Sequence, residues 1–510
     1  MIPVQSLQFK NRVGAQSLGL TWRVIQCVFT YTFKAIFDEF IFNHLPRNLI
    51  YICESGNAFT IKIISGSSIS SLFREDLHHI DGNYTSSVRK KAIHDDLKNV
   101  LKYAIFSHRW YEEGEPSFRE MSSNPHGSGK GFEKLMEFCR KAVQFGCKLA
   151  WSDTCCINKS SSAELDEAIR SMFRWYRQAH ICIVHLAGAS NVSELESEGD
   201  EWFTRGWTLQ ELLAPKKMKF YGKNWEELSD IPNDKQNLRL MKIISRITNI
   251  PLGDLTSFKP GTKNIRQRMY WASKRQTTRV EDLSYCLVGI FDVNLSIAYG
   301  EGDWAFYRLM EVIIQRCDEW GIFAWAGTPS SHGRTKAIAH SPECYQEINT
   351  DRFPAESATK VHGDTSFTLS RRGLHLMLMI TIGDLRTTDK ADHYKFIVSH
   401  TLDTDPDFTP IEVRISAEDL NIEEDEWAIG IQNYRATDEP EEVGKLEGDK
   451  DYVCFLLRRL KVEDESTQTG RSKESEDRVW KKQPTDNILI VHTCFQTRLE
   501  SREPLKRLWL

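Results

Sequence analysis

One short segment carries side chains suited to recognising a ligand. Residues 202–215 read Trp-Phe-Thr-Arg-Gly-Trp-Thr-Leu-Gln-Glu-Leu-Leu-Ala-Pro. Tryptophan stacks on flat rings, arginine contacts phosphate as a planar fork, and the carboxylate of Glu211 can hydrogen-bond hydroxyls and offset positive charge. A structural role is the alternative. In that case Trp202 and Trp207 are core residues, and Glu211 forms a buried ion pair with Arg205 or caps a helix.

Two further strings precede this segment. Residues 103–110 read Tyr-Ala-Ile-Phe-Ser-His-Arg-Trp, and residues 150–159 read Ala-Trp-Ser-Asp-Thr-Cys-Cys-Ile-Asn-Lys. Ser107 and His108 are neighbours on an extended strand, so their side chains point to opposite faces and a direct proton relay is unfavourable. Asp153 either faces a ligand or caps the loop that follows it. Cys155 is expected to be a buried structural thiol.

The chain from Tyr103 to Gly222 alternates between strand and helix patterns. An acidic loop is predicted at Glu194–Glu201, before a helix that contains Trp207 and ends at Pro215. Strands are predicted at Tyr103–Phe106, Leu149–Ser152, His180–Leu186 and Met218–Tyr221. This order predicts an α/β fold with a parallel sheet covered by helices. Ligands of such sheets bind beyond the carboxyl ends of the strands, where we expect Ser107, His108, Trp110 and Asp153.

Together, in this order and at this spacing, the three strings resemble the HET domain of fungal heterokaryon-incompatibility proteins. The resemblance covers Tyr103 to Trp225 and extends to the helical segment from Arg268 to Gly302 that follows the domain in many such proteins. Tyr111 stands where the family pattern has glycine, and Asn158 stands where it often has aspartate. These two departures concern a ligand pocket rather than the fold.

The HET domain in turn resembles the TIR fold, which implies a TIR/flavodoxin-like sheet. In NAD-cleaving TIR proteins a helix after the third strand carries the catalytic glutamate, and Glu211 matches that position. Breaking the glycosidic bond to nicotinamide needs mainly stabilisation of a cationic ribose, for which one carboxylate is enough. The resemblance thus implies NAD as a substrate and no cofactor. Substrate-binding roles are expected for Ser107, His108, Trp110, Asp153, Arg205 and Trp207.

Two classes of function remain open at this point. In the first, the protein is an intracellular effector of self/non-self recognition or of innate-immune-like cell death that cleaves NAD. In the second, the domain is a non-catalytic signalling module that assembles with partner proteins. The expected partners are other copies of the chain or other incompatibility proteins.

Periodicity divides the 510 residues into four segments. Residues 1–100 form an N-terminal extension with short strands and, at 18–45, an amphipathic helix whose charges disfavour a membrane span. Residues 101–230 form the HET domain, and residues 231–330 form a helical segment expected to pack on it. Residues 331–510 alternate with a period of two and have charged loops, which predicts a β-rich domain built as an antiparallel sandwich or barrel.

Composition disfavours several other classes of protein. The formal net charge of -5 gives no basic surface for nucleic acid. The twelve cysteines are scattered without CxxC spacing, which predicts reduced thiols in a cytoplasmic protein and no metal site. The glycine-rich string at residues 127–131 lacks the GxxxxGK-Ser/Thr spacing of a phosphate loop.

Overall fold

The structure, a computed structural model, describes residues 33–56, 58–82, 89–123, 127–346, 367–398, 410–416, 420, 422–432, 445–446, 450–460, 480–493, 497–498 and 505–510. The chain divides into two compact units, Met1–Ser161 with Arg177–Ile183 and Ser162–Tyr176 with Val184–Leu510. Residues 18–32 of the predicted amphipathic helix fall outside the described residues, whereas residues 33–44 form helix α1. No helix in the described part of the chain is long and apolar enough to cross a membrane.

A six-stranded sheet contains all four strands predicted between Tyr103 and Gly222. Its strands are β1 Asn48–Ser55, β2 Ala58–Ser65, β3 Tyr103–His108, β4 Leu149–Trp151, β5 Ile181–His185 and β6 Met218–Tyr221. They lie in the order β2-β1-β4-β3-β5-β6. Strands β3 and β4 are parallel, as predicted, but β1 pairs antiparallel with both β2 and β4. The hairpin β1–β2 therefore makes the sheet mixed rather than wholly parallel.

Helices alternate with these strands along the chain. They are α2 Gly66–Leu72, α3 Arg74–Gly82, α4 Arg89–Val100, α5 Phe118–Ser123, α6 Lys130–Gln144, α7 Ser162–Gln178, α8 Val192–Glu198 and α9 Thr208–Leu213. Helix α6 buries Leu135, Phe138, Cys139 and Ala142, which recur at helical spacing. The predicted acidic loop at Glu194–Glu201 is wrong, because α8 forms there. The Asn191 side chain starts α8 by accepting hydrogen bonds from the Ser193 and Glu194 N–H groups.

The next part of the chain is helical. Its helices are α10 Leu238–Thr248, α11 Leu252–Ser257, α12 Ile265–Ser273, α13 Asp282–Tyr285, α14 Val288–Phe291 and α15 Trp304–Ile314. Short 3-10 helices span Glu201–Thr204, Asp234–Gln236, Trp320–Phe323 and Pro342–Tyr345. Helix α12 packs against Pro342–Tyr345, and the Tyr345 hydroxyl donates to the Ile322 carbonyl at 2.6 Å. These contacts tie residues up to 346 to the helical part.

The C-terminal part is β-rich, as predicted. Its strands are β7 Thr368–Ser370, β8 Gly373–Thr387, β9 His393–Val398, β10 Ile411–Arg414, β11 Asp425–Ile431, β12 Lys445–Leu446, β13 Lys450–Leu460, β14 Lys481–Gln483, β15 Leu489–Thr493, β16 Thr497–Arg498 and β17 Leu505–Trp509. Nine of them form one sheet, in which β10-β9-β8-β11-β13-β14 is the main order; β7 and β17 also pair with β8, and β15 with β13.

This nine-stranded sheet is nearly closed. The Arg414 N–H at the end of β10 donates to Asn487 Oδ1 at 2.7 Å, and the Asp486 N–H donates to the Arg414 carbonyl at 2.8 Å. The start of β15 thereby meets β10. Large apolar side chains fill the interior, including Met379, Phe396, Val413, Trp427, Ile429 and Leu456. The alternating pattern of the sequence thus corresponds to an antiparallel sheet with one buried face.

Candidate functional site

His108 ends strand β3 and is held in a stack of rings. Because residues two apart on a strand share a face, its imidazole lies 4.1 Å from the Phe106 ring, and that ring lies 4.4 Å from Phe138 of α6. Only 2% of the His108 side chain is exposed. Burial, together with the Lys134 ammonium, lowers the pKa of His108, although Asp153 acts in the opposite direction. The imidazole is therefore neutral at pH 7.

The two ring nitrogens of His108 have different surroundings. Nδ1 is 3.2 Å from the Arg109 carbonyl oxygen, which can only accept a hydrogen bond, so the neutral ring carries its hydrogen on Nδ1. Nε2 faces Asp153, whose Oδ1 atom is 3.7 Å away. Among the described residues Nε2 has no hydrogen-bond partner.

Asp153 follows β4 and binds the indole of Trp110. The Trp110 Nε1–H group donates to both carboxylate oxygens, at 3.2 Å and 3.0 Å. Burial on its own raises the pKa of Asp153, but His108, Lys159 and the Trp110 N–H outweigh it, so the pKa lies below its ordinary value. The carboxylate is therefore ionised at pH 7. The parallel pairing of β3 with β4 brings these residues to one edge of the sheet.

A buried ion pair anchors the loop that carries Trp110. The Lys134 ammonium of α6 contacts the Glu115 carboxylate and donates to the Arg109 carbonyl at 3.1 Å. Its side chain is 3% exposed and that of Glu115 is 11% exposed. The Tyr111 N–H donates to Glu115 at 2.8 Å, and the Lys134 ammonium lies 3.8 Å from the centre of the Tyr111 ring. Tyr111, which departs from the family pattern, thus packs into this loop.

The same loop passes very close to the first turn of α6. A Cβ atom added to Gly131 would lie 2.1 Å from the Gly114 carbonyl oxygen. Because no side chain fits in that space, glycine is required at position 131. In the glycine-rich string at residues 127–131, Gly131 therefore allows two backbone segments to lie close together.

Lys159 covers one face of the Trp110 indole. Its Nζ atom lies 3.7 Å from the ring centre. Burial of the ammonium lowers the pKa of Lys159, and the charge of Asp153 opposes this shift. The preceding residue, Asn158, accepts hydrogen bonds from the Ser160 N–H at 3.2 Å and the Ser160 hydroxyl at 2.6 Å. An aspartate oxygen would accept the same two bonds, so the departure at Asn158 preserves this turn.

Ser107 and Cys155 lie beside these residues in the sequence but are buried. Both are 0% exposed. Neighbouring side chains on a strand point to opposite faces of the sheet. Ser107 therefore lies on the other face from His108, and His108 is the residue of the pair that faces Asp153. Cys155 has the buried environment predicted for a structural thiol.

Glu211 lies in α9, in the second unit, and is 6% exposed. Arg275 interacts with it electrostatically and is itself 5% exposed. The Arg275 guanidinium donates to the Arg205 carbonyl at 2.8 Å and to the Thr208 hydroxyl at 3.0 Å. Burial lowers the pKa of Arg275 to about 10, while Cys286 and Glu211 raise it. The structure therefore places a buried cation, Arg275, near Glu211, whereas the sequence suggested Arg205 as the partner of an ion pair.

Two backbone hydrogen bonds hold the residues that lead into α9. The Gly206 N–H donates to the Gln276 carbonyl at 2.8 Å, and the Gln276 N–H donates to the Thr204 carbonyl at 2.7 Å. A Cβ atom on Gly206 would lie 2.4 Å from the Thr277 methyl carbon. The segments 204–206 and 275–277 thus pair like short strands, and this pairing places Arg275 beside α9.

The two tryptophans near Glu211 differ in burial. Trp202 is 0% exposed and packs edge-on against Phe220, which fits the core interpretation. Trp207 is partly exposed, and its indole N–H bonds the Asp282 carboxylate. Asp282 also accepts a hydrogen bond from the Tyr299 hydroxyl at 2.8 Å. Residues of the helical segment therefore hold Trp207 in place.

The predicted site residues fall into two groups, one in each unit. In the first unit His108, Trp110 and Asp153 are in contact, while Ser107 is buried. In the second unit Arg205, Trp207 and Glu211 follow one another through a short helical stretch. Sequence reasoning missed the charged residues that support them, namely Glu115, Lys134, Lys159 and Arg275. A signal was present for Lys134, because it occupies the apolar face of α6 next to Leu135.

One segment of the chain matches a known family model. Residues 103–198 match the family model described as Heterokaryon incompatibility protein (HET). The chain therefore contains a HET domain at these residues, and two of the three sequence strings, residues 103–110 and 150–159, lie within them.

A curated relative extends this result. Over 226 residues the chain is 41% identical to Vegetative incompatibility protein HET-E-1 of Podospora anserina. The alignment covers 42% of the chain and 16% of that relative, so the chain corresponds to a small part of the relative's length. No solved structure matches the chain.

Proposed function

We propose that the protein is an intracellular effector of heterokaryon incompatibility whose HET domain triggers cell death when it is activated. The HET match and the relative that is named a vegetative incompatibility protein support this role. Its partners in this role are further copies of the chain or other incompatibility proteins. Activation by assembly keeps the domain silent at low concentration, because the competent complex is then rare.

For the mechanism we propose cleavage of NAD by a TIR-like site. The order of the strands carries this proposal. Counted from β3, the first four strands of the HET segment lie in the order 2-1-3-4, which is the order of flavodoxin-like sheets. Glu211 lies in α9, the second α-helix after the third of these strands, and the resemblance to NAD-cleaving TIR proteins assigns the catalytic glutamate to a helix after that strand.

In this mechanism Glu211 stabilises the positive charge that develops on the ribose as nicotinamide leaves. Arg205 contacts a phosphate, and the partly exposed Trp207 offers a ring face. NAD is the substrate here, and the mechanism uses no cofactor or metal.

A non-catalytic signalling module is the second candidate function. The burial of Glu211 beside the buried Arg275 favours it, because such a carboxylate also serves as the partner of a structural cation. In that case the domain acts by assembly alone, and loss of the Glu211 charge reduces stability.

Purified full-length protein incubated with NAD tests the two mechanisms. We compare Glu211→Gln with Glu198→Gln, a matched change at an exposed acid in α8. The first mechanism predicts NAD consumption that is lost in Glu211→Gln, kept in Glu198→Gln, and rises faster than protein concentration. Absence of NAD consumption at every concentration, with both variants equally toxic in cells, would exclude cleavage and leave the signalling module.

A further inference from the structure

The indole of Trp110 and the carboxylate of Asp153 form a corner that attracts positive charge. The two hydrogen bonds from Nε1 to the carboxylate fix the plane of the indole ring. A carboxylate that accepts from the indole N–H pushes electron density into the ring and makes its face more negative. Trp110 is 36% exposed and the Asp153 side chain is 22% exposed, so the corner is open to solvent.

A cation of the protein itself already occupies this corner. The Lys159 ammonium lies 3.7 Å from the centre of the indole ring, which is within the range of a cation–π contact. The charge of Asp153 acts on the same ammonium. Lys159 therefore shows where a positive group binds and which two side chains recognise it.

Lys159 is a replaceable occupant for two physical reasons. Its ammonium is compact and strongly hydrated, so contact with the ring removes water that it binds well. The same desolvation lowers the pKa of Lys159, which means that its charged form is disfavoured there. A cation whose charge is spread over a ring has less hydration to lose, and it presents a flat face to the indole.

We propose that the Trp110–Asp153 corner is a binding site for a planar heteroaromatic cation, such as a pyridinium ring, and that Lys159 occupies this site in the free protein. The choice of pyridinium rests on the proposed function, since nicotinamide in NAD carries that charge. Lys159 then acts as an internal competitor, which leaves the corner when the ligand ring stacks on Trp110.

Titration of the full-length protein with 1-methylnicotinamide, followed by calorimetry, tests this site. Nicotinamide is the matched probe, because it lacks the methyl group and the charge. We expect 1-methylnicotinamide to bind about ten-fold more tightly than nicotinamide, the scale of a partly desolvated cation–π contact. Lys159→Met should tighten its binding several-fold by removing the competitor, whereas Asp153→Asn and Trp110→Leu should weaken it about ten-fold.

Two controls separate a loss of probe binding from a loss of folding. Unfolding temperatures show whether each variant is folded, and Trp110→Phe, which keeps an aromatic face, should bind between wild type and Trp110→Leu. Equal affinity for the two probes, or an affinity unchanged by Trp110→Phe and Asp153→Asn, would overturn the site. Unchanged or weaker binding by Lys159→Met would overturn the role of Lys159. Because these measurements do not use NAD turnover, a protein that binds the probe but leaves NAD intact would refute cleavage and retain the site.

Discussion

The ion pair between Lys134 and Glu115 gives the sharpest prediction for stability. Glu115→Gln removes the negative charge next to an ammonium whose side chain is 3% exposed. Loss of one partner of a buried pair costs about 3–5 kcal/mol, because the other charge stays buried without compensation. The glutamine oxygen still accepts from Lys134 and Tyr111, so we expect the lower end, about 3 kcal/mol.

Hydrogen exchange followed by mass spectrometry measures this loss locally, in peptides that cover β3, α6 and β4. A change of about 3 kcal/mol corresponds to roughly 100-fold faster exchange of amides that open with this part of the protein. Glu113→Gln, at an exposed position of the same loop, is the matched control and should stay within about 0.5 kcal/mol of wild type.

A double-mutant cycle decides whether the ion pair is the cause. Lys134→Met combined with Glu115→Gln removes both charges, so it should recover most of the stability lost in Glu115→Gln. The reasoning is refuted if the double variant loses as much as the sum of the two single variants. It is also refuted if Glu115→Gln and Glu113→Gln exchange equally fast.

Three other predictions concern close packing, truncation and pH. In urea unfolding, Gly131→Ala should destabilise the protein by about 1–3 kcal/mol because the added methyl group meets the Gly114 carbonyl. The control Gly253→Ala should be neutral or stabilising, because the space around Gly253 is open. A chain truncated after residue 330 should resist protease less well than one truncated after residue 346. The shorter chain loses the fully buried Ile338 and Tyr345, each of which contributes about 1.5–3 kcal/mol to stability. Equal protease resistance of the two chains would contradict this prediction. Burial lowers the pKa of Lys482 to about 7 from 10.5, so above pH 7 the unfolded state binds more protons and stability rises with pH. Between pH 7 and pH 9 the gain should be about 2 kcal/mol, and Lys482→Met should abolish it in urea unfolding.

The sequence was informative wherever local pattern determines structure. The four strands between Tyr103 and Tyr221 were located to within two residues, because each is a short apolar run between breaks. The helix α6 followed from its apolar spacing, and the β-rich end followed from alternation. The acidic composition of Glu194–Glu201 favours a loop, whereas the cap at Asn191 favours the helix that forms there.

Long-range pairing limited what could be predicted of the candidate site. Parallel strands indicated that residues after β3 and β4 share an edge, and the contact of Trp110 with Asp153 agrees with that expectation. The sequence did not indicate that Lys159 would lie on the Trp110 ring, or that Arg275 would be buried near Glu211. These contacts join residues 49 and 64 positions apart, and no local periodicity records them.

The pairing of residues 204–206 with 275–277 has a consequence for recombination between related genes. Recombination between related genes exchanges contiguous pieces of sequence, and it keeps a fold intact when the breakpoint separates few contacts. A breakpoint between Leu213 and Arg275 would join α9 from one parent to a ladder strand and a buried guanidinium from the other. The family match ends at residue 198, whereas the contacts of the residues that lead into α9 extend to Thr277.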